Sequence, residues 1–113
     1  MEKIQLGNFQ DAIENFTQAI ENEINLRSAY SNRCLAFLQV QEYQNAVKDC
    51  TRAIEISDNL RTQSIEAYIN RGLAHYRLGE FDAAVVDYNQ ALAIKPHEFR
   101  AYYNRGVANA AKG

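Results

Sequence analysis

The 113-residue sequence contains only one proline and five glycines, and this scarcity excludes collagen-like and low-complexity chains. Its hydrophobic fraction of 47% excludes a disordered chain, because enough apolar surface is available to form a core. No segment approaches the roughly 20 consecutive apolar residues of a membrane-spanning helix, and the N-terminus lacks an apolar core followed by a small-residue cleavage site. We therefore expect one globular domain that is neither exported nor inserted in a membrane.

Net charge and cysteine content are also low. A formal net charge of -2 provides no broad basic field, so we expect no nucleic-acid partner. Cys34 and Cys50 are too few for a secreted disulfide framework, and the spacing of His and Cys offers no zinc site. We expect both thiols to be reduced, buried packing residues, the compartment to be intracellular (cytoplasmic), and the protein to use no metal and no cofactor.

Two sequence patterns alternate along the chain. The first occurs at Asn8–Glu21, Glu42–Glu55 and Glu80–Ala93, and the second at Ala29–Cys34, Ala67–Gly72 and Ala101–Gly106. Ala12 and Ala46 are 34 residues apart, as are Tyr68 and Tyr102, whereas Ala46 and Ala84 are 38 apart. The chain is therefore an internal repeat, with four additional residues in the polar stretch 57–64.

Each repeated segment has the apolar spacing of an amphipathic helix. Phe9, Ala12, Ile13, Phe16, Ala19 and Ile20 follow the i, i+3, i+4, i+7 pattern of one helical face. With Gly7, Gly79 and Pro96 as helix breaks, the pattern predicts helices at 8–22, 27–40, 43–57, 64–78, 81–94 and 98–112.

The repeat resembles the tetratricopeptide-repeat (TPR) family. The similarity is clearest where Tyr68, Arg71, Gly72 and His75 are followed by Ala84, Tyr88, Ala91 and Pro96. It implies an all-α solenoid of antiparallel helix pairs in a right-handed superhelix. The resulting units are a partial first repeat (1–26), two repeats (27–60 and 61–97) and the first helix of a fourth (98–113).

The resemblance also implies a concave groove lined by the first helix of each pair. We expect its partner-binding residues to be Asn32, Leu35, Leu38, Ile69, Asn70, Leu73, Tyr76, Arg77, Arg100, Tyr103, Asn104 and Val107. Their apolar members would form an exposed patch, unless adjacent repeats bury most of it. The three asparagines would form a column that binds peptide backbone, with local hydrogen bonding as the alternative. Arg77 and Arg100 would favour acidic ligands mildly.

The arginines that follow these asparagines point away from the groove. Counting from the turns between helices places Arg33 opposite Asp49 or Cys50, and Arg71 opposite Asp87 or Tyr88. We expect structural ion pairs, Arg33 with Asp49 and Arg71 with Asp87.

These features favour a scaffold that binds a peptide or helix of a partner protein and has no catalytic residues. His75 and His97 lack a nucleophile and a carboxylate at a recognisable spacing, so the protein is not expected to be an enzyme. Some relatives grip acidic C-terminal chaperone tails with Lys, Asn and Arg, but Ser31 and Leu35, or Glu66 and Asn70, stand at those positions here. The alternative function is self-assembly into a homo-oligomer through Phe9, Ile13, Phe16 and Ile20.

Overall fold

The computed structural model describes residues 2–56 and 64–113, and within these ranges the chain is entirely helical apart from short turns. The six helices are α1 (Glu2–Glu21), α2 (Leu26–Gln39), α3 (Tyr43–Ile56), α4 (Ile65–Arg77), α5 (Phe81–Ile94) and α6 (Phe99–Lys112). The all-α prediction is confirmed. The four additional residues of the longer repeat fall mainly within 57–63, outside the described residues.

Two glycines that were predicted to break helices behave differently. Gly79 has a φ of +79°, and the Glu80 N–H donates to the carbonyl of His75, so α4 ends there as expected. Gly7 lies inside α1, which begins at Glu2, so the predicted start at residue 8 is wrong. Glycine costs a helix only about 1 kcal/mol relative to alanine, which does not interrupt a helix by itself.

The helices pack in chain order. Within repeats α2 contacts α3 and α4 contacts α5, and between repeats α1 contacts α2, α3 contacts α4 and α5 contacts α6. The first-type helices (α2, α4 and α6) also contact each other directly, α2 with α4 and α4 with α6. Because they approach each other closely, they line the concave side of the array, and the second-type helices (α1, α3 and α5) lie outside. Among the described helices, none combines the length and apolar character needed to cross a bilayer.

Small residues allow the helices to approach closely. Ala46, Ala84 and Ala91 are completely buried, and Tyr88 is only 1% exposed. A Cβ atom added at Gly72 would lie 2.6 Å from Cε1 of Tyr88, so this pair requires glycine on α4. Burial raises the pKa of the Tyr88 hydroxyl to about 12.

The two cysteines form a disulfide, so the prediction of reduced thiols is wrong. Cys34 on α2 and Cys50 on α3 are fully buried opposite each other, with their Cα atoms 5.4 Å apart. This separation lies in the range that a disulfide spans. Counting cysteines gave no information on this pairing, whereas counting residues from the turn did place the two across from one another. The cysteines therefore give no support to a reducing compartment.

We predict that breaking this bond lowers the free energy of unfolding. The disulfide closes a loop with a sequence separation of 16 residues, and opening such a loop costs about 2 to 4 kcal/mol. Urea unfolding with and without a reductant measures the change. The variant Cys34→Ala/Cys50→Ala should not respond to the reductant. Labelling of both thiols in the unfolded, unreduced protein would contradict the prediction.

Candidate functional site

The concave surface carries a smaller apolar patch than the sequence predicts. Leu35 is 43% exposed and Tyr103 is 74% exposed, while Leu73, Tyr76 and Val107 are half-buried. Leu38 and Ile69 are only 8% and 4% exposed, so their expected exposure in the groove is wrong.

Both residues are buried by neighbouring helices. Leu38 belongs to the core around Cys34 and Ala46, and Ile69 packs in a cluster with Tyr88 and Ala101. Contact between successive first-type helices thus covers part of the stripe that helical periodicity alone places in the groove.

An apolar cavity lies at the N-terminal end of the concave surface, between α1 and α2. Its volume is about 180 Å³, the size of one apolar side chain. The residues that line it are Phe9, Ala12, Phe16, Asn32, Leu35, Ala36 and Gln39. Asn32 and Gln39 are exposed, so they provide polar groups beside an otherwise apolar cavity.

The predicted asparagine column consists of Asn32, Asn70 and Asn104 on successive first-type helices. Asn32 is exposed, and Asn70 and Asn104 are half-buried. Their side chains make no hydrogen bond to any described residue, unlike Asn22 and Asn45, which bond locally. Their donors and acceptors are therefore available to a ligand.

Arg100 is paired with two carboxylates. Its Nη2 lies 2.5 Å from Glu66 Oε1, and its Nε donates to Glu98 Oε1 at 2.8 Å. The hydrogen bond from Arg100 lowers the pKa of Glu98. The predicted bias toward acidic ligands is therefore wrong for Arg100, although Arg77 is exposed and has no ion pair with any described residue. Glu66 and Arg100 hold the same position in successive repeats, a sequence signal that could have indicated this pair.

Behind the groove, two arginines join the second-type helices. Arg33 donates from Nε and Nη2 to Asp49 at 2.6 and 2.9 Å, and from Nη1 to Thr17 Oγ1 at 3.0 Å. Arg71 bonds Asp87 in the same bidentate way at 2.9 and 2.7 Å. Both predicted ion pairs are confirmed.

The threonine partners were not predicted from the sequence. Arg71 Nη1 donates to Thr51 Oγ1 at 3.1 Å, as Arg33 does to Thr17. The two threonines are 34 residues apart, so the period could have revealed them. Each arginine thus joins the second helix of its own repeat to that of the preceding repeat.

Arg105 makes only part of this arrangement. Its Nη1 donates to Asn89 Oδ1 at 2.7 Å, and Asn89 holds the position of Thr17 and Thr51. The guanidinium also lies over the ring of Tyr102, 5.3 Å from its centroid. No carboxylate among the described residues bonds Arg105.

The residues predicted for self-association are less exposed than expected. Phe9, Ile13, Phe16 and Ile20 are all half-buried, and Phe9 and Phe16 line the apolar cavity against α2. The most exposed aromatic surface lies instead on α6, where Phe99, Tyr102 and Tyr103 are 75%, 46% and 74% exposed. In the part of the chain that the structure describes, no group of three or more His, Cys, Asp or Glu residues could hold a metal ion.

The chain is similar to repeat families and to solved repeat domains. One family model, described as tetratricopeptide repeat, matches residues 1–60, and another, described as TPR repeat, matches residues 72–113. The Arabidopsis OM64 TPR domain superposes with a TM-score of 0.83 at 28% identity, covering 92% of this chain and 83% of that chain. No curated protein matches in sequence.

Two further solved structures are similar. The second TPR domain of human RPAP3, in complex with the HSP70 peptide SGPTIEEVD, has a TM-score of 0.81 at 28% identity, with 96% of this chain and 92% of that chain covered. The crystal structure of MamA protein has a TM-score of 0.84 at 31% identity, with 97% and 58% covered.

We predict that Arg71→Leu destabilises the protein by about 3 kcal/mol, because it leaves the Asp87 carboxylate, 2% exposed, without its partner. Arg105→Leu is the matched control. Its hydrogen bond goes to an exposed carboxamide, so it should cost less than about 1 kcal/mol. Urea unfolding measures both changes, and equal losses would contradict the prediction.

Proposed function

The chain belongs to the tetratricopeptide-repeat family, and we propose that it is a non-catalytic scaffold that binds an extended or helical segment of a partner protein in its concave groove. The observation that carries the proposal is the column of Asn32, Asn70 and Asn104, whose side chains bond no described residue. A carboxamide both donates and accepts hydrogen bonds, as a peptide backbone does. The column therefore fits a peptide backbone independently of its side chains.

The two ends of the groove supply apolar anchors. The cavity between α1 and α2 has room for one apolar side chain beside Asn32, and Tyr103 exposes an aromatic ring on α6. Large side chains that become desolvated on binding carry most of the energy of such interfaces. Since Arg100 is paired with Glu66 and Glu98, the groove favours a ligand with apolar anchors over a strongly acidic one.

The peptide complex of human RPAP3 supports this function, because that domain has the same fold at 28% identity. Binding requires no chemical step, and the proposed role includes no cofactor or metal. Fold similarity does not identify the partner, since one fold serves many functions.

Self-assembly is a second candidate function. It is favoured by the exposed aromatic residues of α6 and by Arg105, which lacks the carboxylate that Arg33 and Arg71 bind. The residues expected from the sequence, Phe9, Ile13, Phe16 and Ile20, remain candidates as half-buried contacts.

We predict that Tyr103→Ala weakens binding of a peptide selected from an array by about 1 to 3 kcal/mol. Tyr102→Ala, on the same helix but outside the groove stripe, is the control and should leave affinity unchanged. Asn70→Ala and Tyr76→Ala should also weaken binding. Tyr76 packs on Phe81 with ring centroids 5.5 Å apart, so its melting temperature must be measured as well. The groove proposal fails if none of the three changes alters the dissociation constant measured by calorimetry.

We predict no useful affinity for the peptide SGPTIEEVD, which human RPAP3 binds. Two adjacent carboxylates need free cations, and Glu66 already occupies Arg100. Calorimetry with the RPAP3 domain as positive control tests this. Glu66→Gln removes one of the two carboxylates on Arg100 and should bind the peptide better than the unmodified chain does. Micromolar binding by the unmodified chain would overturn the prediction.

A further inference from the structure

We propose that α1 of a second copy docks on the uncovered face of α6, with its Phe16 against Gly106 and its Asn15 accepting a hydrogen bond from Arg105. The proposal rests on the self-assembly function and specifies the contact that would perform it. It follows from comparing equivalent positions of successive repeats.

The α6 helix has an empty socket where α4 has a filled one. A Cβ atom at Gly72 would collide with Tyr88, whereas a Cβ atom at Gly106 meets nothing within 4 Å. Ile69 on α4 is 4% exposed, but Tyr103, its equivalent on α6, is 74% exposed. The face that α5 covers on α4 is therefore open on α6.

The matching uncovered face lies on α1. Ala12, Asn15, Phe16 and Ala19 are equivalent to Ala84, Asp87, Tyr88 and Ala91 on α5, each at most 1% exposed. On α1 the same positions are half-buried, and Asn15 is exposed. Phe16 already contacts its own α2 through the apolar cavity, as Tyr88 packs with Ala101 and Ala108 of the next helix. Its other side is then available to a first-type helix from another molecule.

Polar groups at the contact also match. In Arg33 and Arg71 the Nε and Nη2 atoms bond an aspartate sixteen residues later in the chain, and in Arg105 neither atom bonds a carboxylate among the described residues. Asn15 holds the position of Asp49 and Asp87 in the repeat. Asn89 already accepts a hydrogen bond from Arg105 through its carboxamide oxygen, so Asn15 can do the same.

This contact joins different molecules head to tail. Within one chain α1 packs on α2, whereas α6 packs on α5 and α4. The two faces are distinct surfaces, so each docked copy leaves another pair open. Such an interface closes into a ring or continues as a filament.

Sedimentation of the full chain over a range of concentrations tests the proposal. Asn15→Asp introduces the carboxylate present in α3 and α5, and charge-assisted hydrogen bonds are about twice as strong, so it should lower the dissociation constant about tenfold. Gly106→Phe fills the socket and should abolish association. Because nothing lies near that position, the monomer should keep its circular dichroism spectrum and melting temperature. Val86→Phe, at an exposed position of α5, is the control for added aromatic surface.

The outcomes separate the contact from the broader function. Association that Gly106→Phe abolishes and Asn15→Asp strengthens supports the proposal. Association that neither variant changes overturns this contact but leaves self-assembly standing. A monomeric mass at every concentration, even for Asn15→Asp, overturns both. If that monomer binds a synthetic peptide of Phe81–Ile94 and Gly106→Phe prevents it, the socket receives a helix of another protein and the assignment to a second copy is wrong.

Discussion

The close approach of neighbouring helices is the constraint on which the rest of the structure depends. It requires small residues at repeated positions, and Ala46, Ala84 and Ala91 are completely buried there. Gly72 fulfils the same requirement where Tyr88 of α5 crosses α4. Since each helix is held against two neighbours, the first-type helices are brought side by side, and their asparagines fall on one surface. The groove is thus a consequence of packing on the opposite side of the same helices.

The arginines add specificity to this packing. A buried ion pair contributes little net stability, because desolvation of the charges offsets their attraction. Arg33 and Arg71, however, each bind a carboxylate on one second-type helix and a threonine on the preceding one. A helix shifted by one residue would leave Asp49 or Asp87 buried without a partner. The arginines therefore fix the register between repeats more than they increase stability.

Periodicity in the sequence predicted the features that depend on local spacing. The helices and the pairing of Arg71 with Asp87 follow from counting residues between turns. The burial of Leu38 and Ile69 could not be predicted in this way, because it depends on how closely successive repeats approach. The same limit applies to the carboxylates on Arg100, since one comes from another repeat. The uninterrupted α1 shows the converse case, in which a local signal, Gly7, was too weak to decide the structure.

The disulfide makes the repeats mechanically unequal. Cys34 and Cys50 join α2 to α3, whereas the other helix pairs are held together by noncovalent contacts among the described residues. Tension applied between the two ends of the chain would pass directly through this bond and bypass the residues between the cysteines. That segment cannot extend until the bond is reduced, while the helices on either side can be pulled apart. In a longer or assembled array, the crosslinked repeat would behave as a rigid link between extensible neighbours.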